Sequence, residues 1–231
     1  MKLGIFTDSH YSSHELTCGN RYNSRSLGKI RLAYEYFEEQ KCDLVICLGD
    51  LTDVESSHEK EEKNLKEIAE VVNQSPLKTV CVMGNHDAFS FTVDEFYKLL
   101  NAQSPDIFEF EGKTLIFLDA CYFKSGEHYQ PGGSGWTDTF YPHTEKLASQ
   151  ISAAEGDVYI FMHQNIDPAI HESHRLYNTA EINRLIRESG KVRAVFQGHY
   201  HAGAENIYGG ITYKTFPAMC ESDNAVFVLE I

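Results

Sequence analysis

For most of its length the chain alternates short apolar runs with amphipathic segments. Residues 3–7, 44–48, 79–83, 158–162 and 192–196 are apolar runs of strand length, each followed at once by polar residues. Leu44-Val45-Ile46-Cys47-Leu48 is apolar throughout, as a strand covered on both faces requires. Between these runs the period becomes helical. Leu27, Ile30, Tyr34 and Phe37 are spaced along one face, with Lys29, Arg31, Glu35, Glu38 and Glu39 between them, which predicts a helix over residues 24–40. Leu65, Ile68 and Val72 predict a surface helix over residues 59–73, whose Glu59-Lys60-Glu61-Glu62-Lys63 run is a solvated face. Shorter helices are expected over residues 93–100, over 144–153, and from Thr179 with Ile182, Leu185 and Ile186 inward. Glu111-Gly112-Lys113 reads as a hairpin turn between strands at 107–110 and 114–118. Strands at 204–208, 211–216 and 225–230 are expected to close the chain as an antiparallel meander, with Gly209-Gly210 turning the first pair. The pattern is that of a mixed α/β protein with more than one sheet. With no repeat, linker or low-complexity tract, residues 1–231 are expected to form a single domain.

Composition narrows this picture. The chain has 231 residues, 42% of them hydrophobic, enough for a substantial core. A net charge of −14 opposes a broad nucleic-acid face. No apolar run reaches transmembrane length, so no membrane partner is expected. The six cysteines form no C-x-x-C pair; Cys42, Cys47 and Cys81 lie in or beside apolar strands and read as reduced core residues. That favours a reducing, cytoplasmic setting. With the first strand and the polar cluster at Asp8 so near the start, no cleaved leader is expected.

Candidate chemistry gathers where the strands end. The first run ends in Asp8-Ser9-His10, whose gap of two sets Asp8 and His10 on one side of an extended backbone. Gly49-Asp50-Leu51-Thr52-Asp53 ends the second, and Gly84-Asn85-His86-Asp87 the third, where glycine lets the chain turn sharply. His163 ends the fourth, and Gly198-His199-Tyr200-His201 the fifth. Any one of these is readily an ordinary turn, since Gly, Asn and Asp favour turns. Five in one chain are not explained by packing, because buried carboxylates and imidazoles need partners or a metal. The donors are oxygen and nitrogen without thiolate, which favours Mn, Fe, Zn or Co over a closed structural zinc site. There are too many donors for one ion. Two ions about 3.5–4 Å apart, sharing a carboxylate, suit hydrolysis of a phosphate ester.

The order D-x-H, G-D-x-x-D, G-N-H-D, H and G-H-x-H, running from Asp8 to His201, resembles the calcineurin-like metallophosphoesterase family. The resemblance implies a four-layer α/β/β/α sandwich of two mixed sheets flanked by helices. It implies one metal held by Asp8, His10, Asp50 and His201, and a second held by Asp50, Asn85, His163 and His199, with Asp50 bridging. His86 would act on the substrate without binding metal, Asp53 would orient it, and Asn85 would also touch the phosphoryl group. The two transition-metal ions, Mn, Fe or Zn, would generate hydroxide near neutral pH for in-line attack. Met162-His163 departs from the His-His or Gly-His of many relatives and leaves the ligand in place.

Within that family the substrate expected is a small-molecule phosphodiester or nucleoside diphosphate derivative. A phosphomonoesterase of the same fold and a metal-free binding scaffold are the alternatives. Asn20-Arg21-Tyr22, Ser26-Leu27-Gly28-Lys29-Ile30 and Leu176-Tyr177-Asn178 are similar to the ADP-ribose/CDP-alcohol diphosphatase branch; this similarity, and that to the cyclic-nucleotide phosphodiesterase branch, is weaker than the match of the metal motifs. This implies that Arg21, Tyr22 and Asn178 face the substrate; for Arg21 a surface ion pair is an equal expectation. His14, His171 and His174 read as exposed loop residues. The Pro- and Gly-rich loop at 121–141 is expected to shape selectivity, with Trp136 packing it down or stacking on a substrate ring.

Overall fold

The computed structural model describes residues 1–133 and 135–231. Its elements follow the alternation of apolar runs and helical stripes. β1 (Lys2–Phe6), β2 (Leu44–Cys47) and β3 (Thr79–Cys81) pair in parallel in that order, and β10 (Phe227–Glu230) pairs antiparallel on the free edge of β1. The second sheet has six strands, in the order β4 (Ile107–Phe110), β5 (Lys113–Leu118), β6 (Asp157–Met162), β7 (Val192–Gln197), β9 (Ile211–Thr215), β8 (Ala204–Tyr208). Its centre is parallel from β5 to β9, with antiparallel hairpins at both edges.

The side-chain parity of the strands builds three cores. Leu3, Ile5, Leu44, Ile46, Leu115, Phe117, Phe161 and Phe196 point between the sheets and pack on one another. The alternate residues Phe6, Val45, Cys47 and Cys81 face α1 (Ser26–Glu39), α2 (His58–Gln74) and α4 (Val93–Leu99). On the other outer face, Ile116, Val158, Ile160 and Val195 meet α5 (Thr144–Ala153) and α6 (Thr179–Ser189). The result is the α/β/β/α sandwich of two mixed sheets. β2 is buried at every residue, which is why it is apolar throughout. Gly4 is required by packing: a Cβ there would meet the Phe37 ring at 2.6 Å.

One expectation is corrected. The chain end is not a meander: β9 pairs parallel with β7, and β10 crosses to the other sheet to cover β1. Strand propensity is local, whereas the unpaired edge that recruits β10 belongs to the N-terminus. After the turn at Gly84 the chain enters a short helix, α3 (Asn85–Ser90), with Gly84 as its N-cap. The six cysteines are all free; only Cys18 is exposed. Among the described residues no helix is long and apolar enough to cross a membrane.

Candidate metal centre

The loops after β1, β2 and β3 are stitched together at the carboxyl ends of their strands. The Asp8 amide donates to the Gly49 carbonyl (3.0 Å), and the His10 amide to the Asp50 carbonyl (2.9 Å). Asp87 ties the third loop in, accepting from the amides of Leu51 (2.9 Å), Thr52 (3.2 Å) and Gly84 (3.0 Å). Burial and the Asp50 charge push its carboxyl up to about 7. Asp87 thus braces the loops and does not face the centre, unlike its neighbours Asn85 and His86.

The backbone that aims these groups is left-handed. Asp8 (φ 52°), His10 (φ 44°), Asp50 (φ 52°) and His199 (φ 64°) all lie in the region that side chains other than glycine avoid, at a cost of roughly 1–3 kcal/mol each. This corrects the reading of Asp8-Ser9-His10 as extended chain: Asp8 and His10 converge because the loop coils, not because a strand alternates. The strain is tolerated because the interloop hydrogen bonds leave the chain no other course. Gly49, at φ 99°, lies so near Gly84 that a Cβ would meet the Gly84 nitrogen at 2.7 Å.

Five imidazoles and three carboxylates converge here. His10 Nε2 lies 3.2 Å from His201 Nε2, 3.5 Å from Asp50 Oδ2 and 3.7 Å from Asp8 Oδ1. His201 Nε2 lies 3.3 Å from the same Asp8 oxygen. On the other side, His163 Nε2 lies 3.2 Å from Asp50 Oδ2 and 3.2 Å from Asn85 Oδ1, and ligand atoms of Asp50, His163 and His199 lie within 4.8 Å of one another. Asp50 belongs to both groups; its second oxygen accepts the His86 amide at 2.8 Å. Asp8, His10, Asp50 and His163 are buried.

This donor set fits cations. Asp8 Oδ1 is buried without a hydrogen bond, and the Nε2 atoms of His10 and His201 face each other at 3.2 Å. Two histidines also have their tautomers set for ligation. His163 Nδ1 donates to the Leu48 carbonyl (2.8 Å), and His201 Nδ1 to Glu221 Oε1 (2.5 Å), which turns each Nε2 toward the centre. The electrostatics agree. Burial alone would lower His163, but the Asp50 and Asp8 charges outweigh it and hold it up at about 9. Burial and the His163 charge push His199 down to about 3. The carboxylates thus demand positive charge that only some of the imidazoles supply.

His86 sits at the rim, half-buried, with Nδ1 2.9 Å from Asp53 Oδ1. Burial would lower it, but Asp50 and Asp53 outweigh that and raise it above the ordinary histidine value. Arg21 also reaches the rim, with Nη1 3.9 Å from Asp53 and Nε 4.0 Å from Glu221. Tyr22 does not join the cluster; its ring is covered by the Arg25 guanidinium. Asn178 donates to Thr144 Oγ1 at the start of α5 (3.3 Å), and its Oδ1 is buried without a hydrogen bond. His14 is exposed near Glu55 and His171 is exposed, as expected. His174 is half-buried instead, with its ring 5.9 Å from that of His199. Trp136 stacks on Tyr129 (4.4 Å) and Phe140 (5.3 Å) and lines a cavity of about 950 Å³ that opens beside Asn85 and His199. Glu221 escaped the sequence reading because no local pattern marks a carboxylate 20 residues after the histidine it orients.

Comparison with known proteins agrees with this geometry. A Fibrobacter succinogenes protein described as a probable cyclic nucleotide phosphodiesterase is 23% identical over 209 residues, 87% of this chain and 73% of the relative. A dimetal phosphatase from Danio rerio superposes with a TM-score of 0.82 at 17% identity, covering 99% of this chain and 91% of its own. A Thermus thermophilus protein superposes with a TM-score of 0.63 at 11% identity, over 95% and 90% of the two chains. These structures share the fold. The sequence profile of calcineurin-like phosphoesterases matches residues 1–203, a span that includes every motif from Asp8 to His201. On that match the chain belongs to the calcineurin-like phosphoesterase family and is a hydrolase of phosphoric esters.

Proposed function

We propose that residues 1–231 act as one metallophosphoesterase domain with a dinuclear centre, hydrolysing a small-molecule phosphodiester or nucleoside diphosphate derivative. The observation that carries this reading is Asp50, the one carboxylate common to two groups of converging donors. In this reading Asp8, His10, Asp50 and His201 hold one ion, and Asp50, Asn85, His163 and His199 the other. Bound there, Mn, Fe or Zn would supply Lewis acidity toward the phosphoryl group and the attacking water. The chain's own residues do the rest. Asn85 offers its amide N–H groups to a phosphoryl oxygen. His86, held by Asp53 and raised in pKa, keeps a proton for the leaving oxygen or for charge developing on the phosphoryl group. Glu221 and Leu48 keep His201 and His163 in the tautomers that ligation needs. The free buried cysteines support a reducing, cytoplasmic setting.

The test is hydrolysis by metal-depleted protein with Mn²⁺, Fe²⁺ or Zn²⁺ restored singly. The substrates are bis-p-nitrophenyl phosphate, p-nitrophenyl phosphate, cyclic AMP, ADP-ribose and CDP-choline. Metal-dependent cleavage of a diester or diphosphate is expected, with two ions bound per chain. His86→Ala should keep both ions and lose about 10²–10⁴-fold in kcat. A single bound ion, preference for the monoester, or full turnover by His86→Ala would each overturn the part it addresses.

A further inference from the structure

The cavity beside Asn85 and His199 contains chemistry that the metal centre does not use. Trp136 and Phe140 form a stacked aromatic wall along it. Arg175 and Arg187 also line it. Among the described residues neither of these makes an ion pair, although the exposed carboxylate of Glu172 lines the same cavity. Arg175 is half-buried. Its Nη1 makes one long bond to the Pro168 carbonyl (3.5 Å), and its Nε is buried with no partner. Arg187 is held by neutral acceptors only: the Asn183 carbonyl at 3.1 Å, the Tyr208 hydroxyl at 3.2 Å, and the Tyr208 ring 5.1 Å beneath its guanidinium.

A guanidinium offers five N–H donors in a planar fork, and a donor left buried without an acceptor is costly. Arg175 therefore has donors to spare and an uncompensated charge, inside a cavity continuous with the centre. The scissile phosphoryl group does not supply what it lacks, because on the reading above that group is met by the ions and Asn85.

We propose that the substrate carries a second phosphate beside the scissile one, and that Arg175 receives it, with Arg187 adding positive charge at the cavity rim. This deepens the proposed function and rests on it: of the two substrate classes named there, it selects the one with two phosphates. A planar fork suits two phosphate oxygens at once, which makes Arg175 a specificity-determining residue rather than a catalytic one. The aromatic wall would cover the remainder of such a substrate.

The experiment compares metal-loaded wild type, Arg175→Gln, Arg175→Lys and Arg187→Gln on ADP-ribose, with two phosphates, and bis-p-nitrophenyl phosphate, with one. The expected result is a fall of about 10- to 100-fold in the ratio of kcat/KM for ADP-ribose to that for the diester in Arg175→Gln, carried mostly by KM. Arg175→Lys should recover part of it, and Arg187→Gln should lose less. Arg193→Gln, which removes an exposed arginine paired with Asp157 at 2.8 Å, is the control and should leave the ratio in place. An unchanged ratio in Arg175→Gln would overturn the proposal. Calorimetric titration of ADP-ribose into each protein separates this outcome from failure of the functional reading. If no substrate is cleaved, at least tenfold weaker binding to Arg175→Gln still supports a second phosphate site. Equal binding, or no binding to wild type, refutes it.

Discussion

At the scale of single residues, the centre depends on atoms that are absent as much as on ligands that are present. Gly84 has an ordinary φ of −93°, so a turn does not require glycine there. Close approach does: a Cβ on Gly84 would collide with the Asp50 carboxylate and amide. Gly84→Ala would drive apart the loops that Asp87 holds together. We expect it to cost roughly 1–3 kcal/mol in urea unfolding and to weaken Mn²⁺ binding at least tenfold. Native affinity in that variant would show that the two loops separate freely. The four left-handed non-glycine residues have the same dependence, because their backbone angles persist only while the neighbouring loop hydrogen-bonds to them.

At the scale of elements, an ion pair helps to hold the long loop over the cavity. His128 Nε2 lies 3.0 Å from Asp119 Oδ2, and its Nδ1 faces the Tyr129 carbonyl at 2.9 Å. Two acceptors on one ring are satisfied together only when both nitrogens carry protons. Burial would lower this histidine, but Asp119 outweighs it and the net shift is upward from 6.5. A raised folded-state value contributes stability that is complete below the unfolded value of 6.5 and is lost as pH rises through the folded one. The difference in urea midpoint between wild type and His128→Asn should therefore be larger at about pH 6 than at about pH 9. A difference that does not vary with pH would show that His128 is neutral in the fold. Loosening of this loop would reach Trp136, which stacks between Tyr129 and Phe140 on the cavity wall.

At the scale of the molecule, both sheets present their strand ends to one site. β1, β2 and β3 deliver Asp8, His10, Asp50 and Asn85, while β6 and β7 deliver His163 and His199 from the other sheet. The apolar layer between the sheets fixes their separation, and a bound ion would add a link to halves already joined by packing and by hydrogen bonds such as those of His163 to the Leu48 carbonyl and of the His199 amide to Asp8. Binding to the folded state alone raises its stability by mass action. One ion at a hundred times its Kd adds about 2.7 kcal/mol, which is on the order of 5–10 °C in Tm for a chain of this size. Thermal unfolding with Mn²⁺ and with excess chelator measures this. Equal melting temperatures would mean that the fold holds no tight site.

The strands and helices were legible in the chain alone, because burial on two faces, one face or none leaves a period that can be read locally. So was the meeting of Asp8, His10, Asp50, Asn85, His163, His199 and His201, since residues that follow parallel strands of one sandwich emerge at the same end. Whatever depends on distant partners was settled by folding. The choice of β1 over β9 as the partner of β10 is one case, and the left-handed turns at Asp8 and His10, imposed by the loop after β2, are another. Asp87 became a brace and Glu221 an orienter of His201 for the same reason. Arg175 is a further example: its residue type was always legible, but only the folded chain placed it on the cavity wall without an ion pair among the described residues. Periodicity records how a residue meets solvent, whereas pairing, strain and charge balance are properties of two residues that come close only when the chain folds.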